Sequence, residues 1–165
     1  MIYLSLDQAL QTTGWAIFED TKLLQYGKFT TPANKPIDER LGWIWGTLND
    51  FKFKTTKDID HVFFEGIQNQ GNAETFKKLA YCQAAILLWC YQNSLKYTIL
   101  PPSHWRNILK STYNIKFGRS RGEQKKKAQE LVKQIYNINV SEDEADAICL
   151  GLAGIQEKEQ DRSAF

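Results

Sequence analysis

The order of the apolar segments is the sequence feature that most restricts how this chain can fold. Three short, β-prone runs come first, at residues 2–6, 14–18 and 23–29, with only brief polar gaps between them. Gaps of this length suit hairpin connections, so we expect the sheet to start antiparallel. Helical and strand patterns then alternate along the chain, in the manner of βαβ units. The sequence therefore predicts an α/β fold with a mixed five-stranded sheet flanked by helices.

The remaining elements follow from apolar spacing, proline positions and possible caps. The predicted strands lie at 61–65 and 96–100, and the predicted helices at 38–51, 72–92, 103–110, 123–136 and 142–156. Ser103 is the expected cap of the short third helix, and residues 111–122 are expected to form a loop. We expect a single domain at 1–157, followed by a polar tail at 158–165 that frays.

The composition limits the class of protein. Of the 165 residues, 42% are hydrophobic, which is enough for the core of one domain. The formal net charge is only +2, so charge alone does not indicate a nucleic-acid partner. The three cysteines show neither a CxxC spacing nor a nearby histidine pair, which favours reduced thiols in the core. Without a signal-like start or an apolar run of membrane length, we expect a cytoplasmic protein that does not associate with membranes.

Two acids stand at the ends of predicted strands. Asp7 follows the first apolar run directly, and Glu65 closes the apolar segment 62–64. Each acid alone also has a plain structural interpretation, as the start of a turn or as a strand end in solvent. In open α/β sheets, however, ligands bind beyond the carboxyl ends of the strands. Two acids at the ends of central strands can therefore converge at one edge of the sheet.

A third group of acids lies in the segment 141–146. Ser141 and Glu144 have the spacing of a capping box, and acids in a first helical turn favour the helix dipole, so most of this group needs no function. Helix capping does not explain Asp146, because this residue lies in the second turn within an apolar run, where a buried charge requires a partner. At 100° per residue it shares a helix face with Asp143. We expect this face to pack on the sheet with two acids at its leading end.

The four acids Asp7, Glu65, Asp143 and Asp146 together indicate a metal site. If they meet, each pair of carboxylates about 4 Å apart repels by roughly 4 kcal/mol at an effective dielectric of 20, so a positive group must be present. No histidine or cysteine accompanies them, which argues against zinc and favours Mg²⁺, with Mn²⁺ as a substitute. Paired hard cations held by carboxylates are the apparatus of phosphodiester hydrolysis.

The same residues carry a resemblance to a known family. The run Thr13-Gly14-Trp15 after the first acid, the glutamate that ends a hydrophobic strand, and the Asp-x-x-Asp of the last helix together resemble the RuvC family of Holliday-junction resolvases. The likeness covers nearly the whole chain. It implies an RNase H-like fold and a homodimer that cuts branched DNA symmetrically with Mg²⁺. It also implies a catalytic tetrad, which would be Asp7, Glu65, Asp143 and Asp146.

A local excess of basic residues is consistent with a DNA substrate. Five basic residues and one acid lie between 119 and 127, and we expect phosphate contacts there. By the resemblance, Arg106 and Lys127 correspond to basic residues near the scissile phosphate, and Arg119 and Arg121 would contact the DNA backbone or a groove. The predicted DNA-binding residues are Arg106, Arg119, Arg121, Lys125, Lys126 and Lys127.

Three departures separate this chain from the family pattern. The family's Asp-Pro-Gly after the first acid is replaced by Asp7-Gln8-Ala9, so the turn there is expected to differ. Gln68 stands where bacterial members carry the aromatic residue that they use as a wedge at the junction. The segment between Arg106 and Lys127 is also longer than in the family. Junction opening and sequence preference can therefore differ from those of the family.

Other functions fit the sequence less well. A phosphate loop of the sugar-kinase type requires a glycine where Ala9 stands, and 165 residues leave no room for a second domain that closes over ATP. A branched-DNA-binding module without catalysis would not need all four acids. An enzyme that acts on RNA–DNA hybrids would keep similar acids, and only the final helix and the expected dimer argue against it.

The expected homodimer has a candidate interface in the predicted helix 72–92. Cutting two strands related by two-fold symmetry requires two sites, which a two-fold dimer supplies. The helix is apolar on more than one side, because Leu88 and Trp89 lie off its main stripe. We expect these two residues to contribute to the subunit interface. The main stripe consists of Phe76, Leu79, Ala80, Gln83, Ala84, Leu87 and Tyr91.

Overall fold

The central feature of the protein is a five-stranded sheet. The structure is a computed structural model that describes residues 1–51, 58–69 and 71–164. The strands have the spatial order β3-β2-β1-β4-β5. Their bounds are β1 Ile2–Asp7, β2 Thr12–Glu19, β3 Lys22–Thr30, β4 His61–Glu65 and β5 Lys96–Leu100.

The directions of the strands make the sheet mixed. The first three strands form an antiparallel meander, in which Asp7 of β1 lies opposite Gly14 of β2. Strands β4 and β5 then join parallel to β1, and Leu6 is paired with Phe64. Parallel neighbours require crossover connections, and helices supply them. The mixed α/β sheet predicted from the order of the apolar runs is confirmed.

Five helices cover the two faces of the sheet. They are α1 Ile37–Asp50, α2 Ala73–Gln92, α3 Pro102–Tyr113, α4 Arg121–Tyr136 and α5 Glu142–Ser163. Helices α1 and α2 pack on one face with side chains such as Leu4 and Phe64. Helices α3, α4 and α5 pack on the other face, around Phe18 and Phe63. Because successive side chains of a strand point to opposite faces, β4 contributes to both cores.

Helix α5 lies closest to the sheet. All of its residues from Ala145 to Ile155 are buried, and the hydroxyl of Ser5 on β1 donates a hydrogen bond of 2.7 Å to the carbonyl of Ala147. A side chain at Gly151 or Gly154 would overlap aromatic rings of the sheet, since an added Cβ would lie 2.4 Å from Phe18 or Phe63 respectively. The two glycines therefore allow the close approach that fixes where the acidic start of α5 lies.

Several predicted boundaries require correction. Helix α3 extends to Tyr113, beyond the predicted end at 110, and its N-cap is Pro101 with no side-chain cap, so Ser103 does not serve as the cap. Helix α4 begins at Arg121 because Ser120 and Glu123 form a capping box. Helix α5 continues to Ser163, so the expected tail from 158 is mostly helical. Its final segment is rich in Glu, Lys and Gln, which are good helix formers and sustain the helix without a buried face.

The buried side of α2 also differs from the predicted stripe. The side chains that it buries are Cys82, Ile86, Trp89 and Cys90, whereas Tyr91 of the predicted stripe is 84% exposed. Spacing gives the angles between residues of a helix but not which of two apolar sides faces the sheet. Trp89 is therefore a core residue, and the expectation that it lies at a subunit interface is wrong.

Two simpler expectations can be compared with the structure. All three cysteines are buried and free, as predicted for core thiols. Among the described residues, no helix is both long and apolar enough to cross a membrane.

Candidate active site

The first two acids are brought together by the parallel pairing of β1 and β4. Pairing of Leu6 with Phe64 places the next residue of each strand, Asp7 and Glu65, at the same carboxyl edge of the sheet. Thr13 supports the turn that follows Asp7: its hydroxyl donates a 3.0 Å hydrogen bond to the carbonyl of Ala9. Neither Ala9 nor its neighbours in this turn have a positive φ, so the turn forms without the glycine of the family pattern.

The second two acids are delivered to this edge by the start of α5. Its first turn has the predicted capping box, in which Ser141 accepts from the Glu144 amide and Glu144 accepts from the Ser141 amide. The turn packs directly on β2 at Gly14, where an added Cβ would lie only 2.0 Å from the carbonyl oxygen of Asp143. The glycine of the Thr-Gly-Trp run thus provides the space that lets Asp143 and Asp146 reach the sheet edge.

The acids form one electrostatic group. Burial raises the pKa of Asp7 well above its usual value, and the carboxylates of Glu65 and Asp146 raise it further. Burial also raises the pKa of Glu65 and that of Asp146, and each of these acids feels another acid of the set. A buried carboxylate with like-charged neighbours is costly to ionise, so the arrangement favours bound cations.

Two basic side chains partly compensate this charge. The ammonium group of Lys125 donates a hydrogen bond to Oδ2 of Asp146, and both side chains are largely buried. The guanidinium of Arg106 lies 4.7 Å from the ring centre of Trp105 and is near enough to lower the pKa of Glu65 and that of Asp146. Its Nε is buried without a hydrogen-bond partner among the described residues. Two cations therefore face four acids in this part of the protein.

All these groups line a single cleft of about 600 Å³. The acids lie at the sheet edge, between α2 on one face of the sheet and α4 on the other. The lining includes the four acids Asp7, Glu65, Asp143 and Asp146, the basic residues Arg106, Arg119, Arg121 and Lys125, and the α2 residues Asn72, Thr75, Phe76 and Leu79. Gln68, which replaces the wedge aromatic of the family, also lies in this lining.

The donor set suits a hard divalent cation by its chemistry. Carboxylate oxygens are the ligands that Mg²⁺ and Mn²⁺ prefer. Because these acids are buried and repel each other, a bound cation would stabilise their ionised forms. In the described part of the chain, however, no three His, Cys, Asp or Glu side chains are gathered closely enough to hold one ion together. The acids share a cleft, and the ammonium of Lys125 contacts Asp146 there. Closer approach of the carboxylates would require a cation between them.

The structure divides the predicted DNA-binding residues into two groups. Arg106, Arg119, Arg121 and Lys125 line the cleft, whereas Lys126 and Lys127 do not. Lys127 instead pairs with Glu130 at 2.8 Å on the outer side of α4. Residues 121 and 125 are four apart and share a helix face, but residue 127 is rotated about 200° from residue 125. The basic residue beside the acids is therefore Lys125, where the resemblance had suggested Lys127.

Two further residues at the site were not predicted. The side-chain amide of Gln8 makes two hydrogen bonds to the backbone of Glu65, and the indole of Trp105 donates to the Glu65 carboxylate. The sequence drew attention to Gln8 only as a departure from the family pattern. No local signal marked Trp105, because its partner lies 40 positions away along the chain.

Comparisons with known proteins agree with this fold. No protein-family model matches the chain. The crossover junction endodeoxyribonuclease RuvC of Dictyoglomus thermophilum is 26% identical over 163 residues, covering 96% of this chain and 99% of the relative. Among solved structures, Thermus thermophilus RuvC in complex with a Holliday junction substrate has a TM-score of 0.79 at 16% identity, covering 97% of this chain and 96% of that one.

A second structure of Thermus thermophilus RuvC has a TM-score of 0.74 at 14% identity and covers 98% of this chain and 97% of the other. The structural likeness extends over the whole chain, including both helical layers and the mixed sheet. The expected RNase H-like fold is confirmed by this agreement. The chain is thus similar over nearly its full length to RuvC proteins, in sequence to one relative and in fold to two solved structures.

Proposed function

We propose that this protein is a metal-dependent, structure-selective endodeoxyribonuclease that cleaves Holliday junctions or other branched DNA by two-metal phosphodiester hydrolysis. The nuclease activity is supported by the nearly full-length similarity to the crossover junction endodeoxyribonuclease RuvC of Dictyoglomus thermophilum. The observation that carries the proposal is the convergence of acids from β1, β4 and α5 on one cleft that basic residues also line. Phosphodiester hydrolysis requires both parts, since the acids hold cations and the basic residues hold the DNA backbone.

Each group of the cleft has a distinct task in this proposal. Asp7, Glu65, Asp143 and Asp146 would hold Mg²⁺, with Mn²⁺ as a substitute. When bound, such cations activate a water molecule and stabilise the leaving oxygen. Lys125 reduces the negative charge at the sheet edge, so that a phosphate can approach the acids.

The remaining basic residues would bind DNA away from the reacting phosphate. Arg119 and Arg121 lie at the start of α4, on the wall of the cleft, where they can contact backbone phosphates on either side of the cut. Lys126 and Lys127 lie outside the cleft and would meet a flanking arm of a branched substrate. The basic surface thus extends beyond the cleft, as a substrate with several duplex arms requires.

A homodimer would supply the second cut. The acids of one chain form one cleft, whereas symmetric resolution of a four-way junction requires two. The exposed apolar residues near the end of α2 form a candidate contact surface, since Leu88 is 59% exposed and Tyr91 is 84% exposed. Tyr97 and Ile99 on the edge strand β5 are also exposed, and Tyr97 lines the same shallow apolar hollow as Leu88 and Tyr91. Exposed apolar side chains clustered in this way are typical of an interaction surface.

A substrate comparison tests the proposal. The purified protein is incubated with a four-way junction, a linear duplex of the same sequence and an RNA–DNA hybrid, each with Mg²⁺ and with a chelator. We expect Mg²⁺-dependent cleavage of the junction and little cleavage of the duplex. Preferential cleavage of the hybrid would instead support the RNA-directed alternative. Tight junction binding without cleavage under any metal condition would support a non-catalytic binding module and contradict the proposal.

A further inference from the structure

The backbone of Glu65 is held by a side chain where the strand pairing stops. The ladder between β1 and β4 extends to the pair of Leu6 and Phe64, after which the chain leaves β1 and turns towards β2. Beyond this pair, the side-chain amide of Gln8 makes the next two hydrogen bonds to the backbone of β4. Its Nε2 donates a 2.6 Å hydrogen bond to the carbonyl of Glu65, and its Oε1 accepts a 3.1 Å hydrogen bond from the Glu65 amide. Gln8 therefore extends the sheet by one rung with a side chain.

The chemistry of residue 8 is what makes this rung possible. A primary amide carries a donor and an acceptor side by side, as a peptide group does, whereas a carboxylate cannot donate and a hydrocarbon can do neither. Gln8 is 6% exposed, so neither backbone group of Glu65 could easily bond to water instead. The Thr13–Ala9 hydrogen bond fixes the turn on the other side of Gln8. The backbone that carries Glu65 is thus fixed relative to the one that carries Asp7.

The carboxylate of Glu65 is held separately by Trp105. The indole Nε1 donates a 2.8 Å hydrogen bond to Oε2 of Glu65. Trp105 lies near the start of α3, soon after β5, and is fully buried. Its ring lies edge-on to Phe117, with centroids 5.7 Å apart, and the Arg106 guanidinium lies over it. A ring enclosed in this way cannot turn freely, so the donated hydrogen bond selects one orientation of a long, flexible side chain.

We infer that Gln8 and Trp105 are positioning residues that together fix Glu65. Gln8 holds the backbone of Glu65, and Trp105 holds one of its carboxylate oxygens. The other carboxylate oxygen of Glu65 remains available to the cleft. The inference rests on the proposed function for the role of Glu65 itself. Both residues act through Glu65 and not through DNA: Trp105 has no exposed surface, and both amide atoms of Gln8 are already bonded. A misplaced metal ligand lowers the rate of catalysis strongly, because catalytic groups must be held within about 0.5 Å of their working positions.

Kinetics of matched variants test the inference. Trp105→Phe removes the donor and keeps an aromatic ring, and Gln8→Met removes both hydrogen bonds and keeps the side-chain length. We expect each to lower the single-turnover rate of junction cleavage by about 10- to 100-fold, with junction affinity within a factor of two of wild type. Trp89→Phe and Gln83→Met are the controls, since Trp89 is buried, Gln83 is half-buried, and both lie on α2 outside the cleft. Their rates should stay within about threefold of wild type.

Rates equal to those of the controls would overturn the inference. So would a loss that lies entirely in junction affinity, because it would make Gln8 and Trp105 DNA contacts.

A spectroscopic measurement tests the Trp105–Glu65 contact without activity or metal. In a ¹⁵N-labelled sample, the indole signals of the five tryptophans are recorded, and the Trp105 signal is assigned by its loss in Trp105→Phe. Glu65→Gln removes the charge of the acceptor and should shift this signal by more than any other indole signal. Asp143→Asn should leave it nearly in place.

An unshifted Trp105 signal in Glu65→Gln would show that the contact is absent and would contradict the inference. If Trp105→Phe does not fold, the Trp105 signal is assigned from triple-resonance spectra of the wild type, and this signal and the Gln8→Met kinetics still decide it. If the wild type cuts no DNA, the proposed function fails, whereas the spectrum still reports on the contact.

Discussion

Adding one methyl group at Gly14 should disable the site through the position of α5. In the present packing, the Cβ of an alanine there would lie 2.0 Å from the carbonyl oxygen of Asp143 and 2.6 Å from its carbonyl carbon. Ordinary van der Waals contact begins at 3.4 Å, so the start of α5 must retreat from β2 by more than 1 Å. A displacement of about 1 Å at a catalytic group costs roughly 100-fold in rate.

The predicted cost in stability is smaller than the cost in activity. Overpacking of this kind destabilises by about 1–3 kcal/mol, which leaves a domain of ordinary stability mostly folded at 25 °C. We therefore expect Gly14→Ala to be folded by circular dichroism and to cleave a four-way junction at least 100-fold more slowly than wild type. Gly46→Ala is the control: it lies in α1 with no atom within 4 Å of an added Cβ, and alanine should slightly stabilise that helix.

The assay is single-turnover cleavage at saturating protein, together with denaturant unfolding of both variants. The reasoning is refuted if folded Gly14→Ala cleaves within about threefold of wild type. In that case α5 either adapts to the methyl group or does not place its acids by contact with β2.

The remaining predictions concern charge, DNA contact and assembly. Asp7→Asn should raise the melting temperature of the metal-free protein at pH 7, because it removes a carboxylate that burial and its acidic neighbours make costly to ionise. Folding raises the pKa of Asp7, so its ionised form opposes folding at neutral pH, and an unchanged or lower melting temperature would contradict this. Arg119→Ala with Arg121→Ala should reduce the slope of log affinity against log salt by about 0.9 per lost phosphate contact, measured by fluorescence anisotropy; an unchanged slope would mean that neither contacts phosphate. Leu88→Glu should be a monomer in sedimentation equilibrium and should nick junctions without coordinated resolution. Leu24 is also an exposed leucine but lies on β3, so the control Leu24→Glu should remain a dimer. A monomeric wild type would refute the symmetric mechanism.

The sequence predicts the features that depend on residues close together along the chain. The strand β4, the capping box of α5 and the position of acids at strand ends all follow from neighbouring residues, and the structure has them where the sequence indicates. Asp146 was identified as unusual because a charge stood in an apolar run. The structure places it in the cleft with Lys125 as its partner.

Features that depend on how elements face each other were predicted less well. The resemblance points to Lys127 as the basic residue beside the acids, whereas the packing of α4 turns Lys125 towards the cleft and Lys127 away from it. The buried side of α2 differs from the predicted stripe because both of its sides are apolar, and only the sheet decides that Trp89 faces inward.

Contacts between distant side chains could not be predicted at all. Gln8 and Glu65 are 57 positions apart, and their hydrogen bonds exist only because β1 and β4 are paired in one register. The cleft itself depends on α2 and α4 lying on opposite faces of the sheet. The sequence gives the residue types at this site, but their relative geometry comes from the packing of the whole domain.

The dependence of cleavage on both the acids and a divalent metal is the most direct test of the central claim. Wild type and Asp7→Asn are incubated side by side with a labelled four-way junction, in Mg²⁺ and in a chelator, after binding of the junction by both proteins has been verified. The account predicts cleavage by wild type in Mg²⁺ alone, and none by Asp7→Asn in either condition although it binds the junction. Cleavage by wild type in the chelator, or substantial turnover by Asp7→Asn in Mg²⁺, would contradict the assignment of these carboxylates as a metal-dependent nuclease centre.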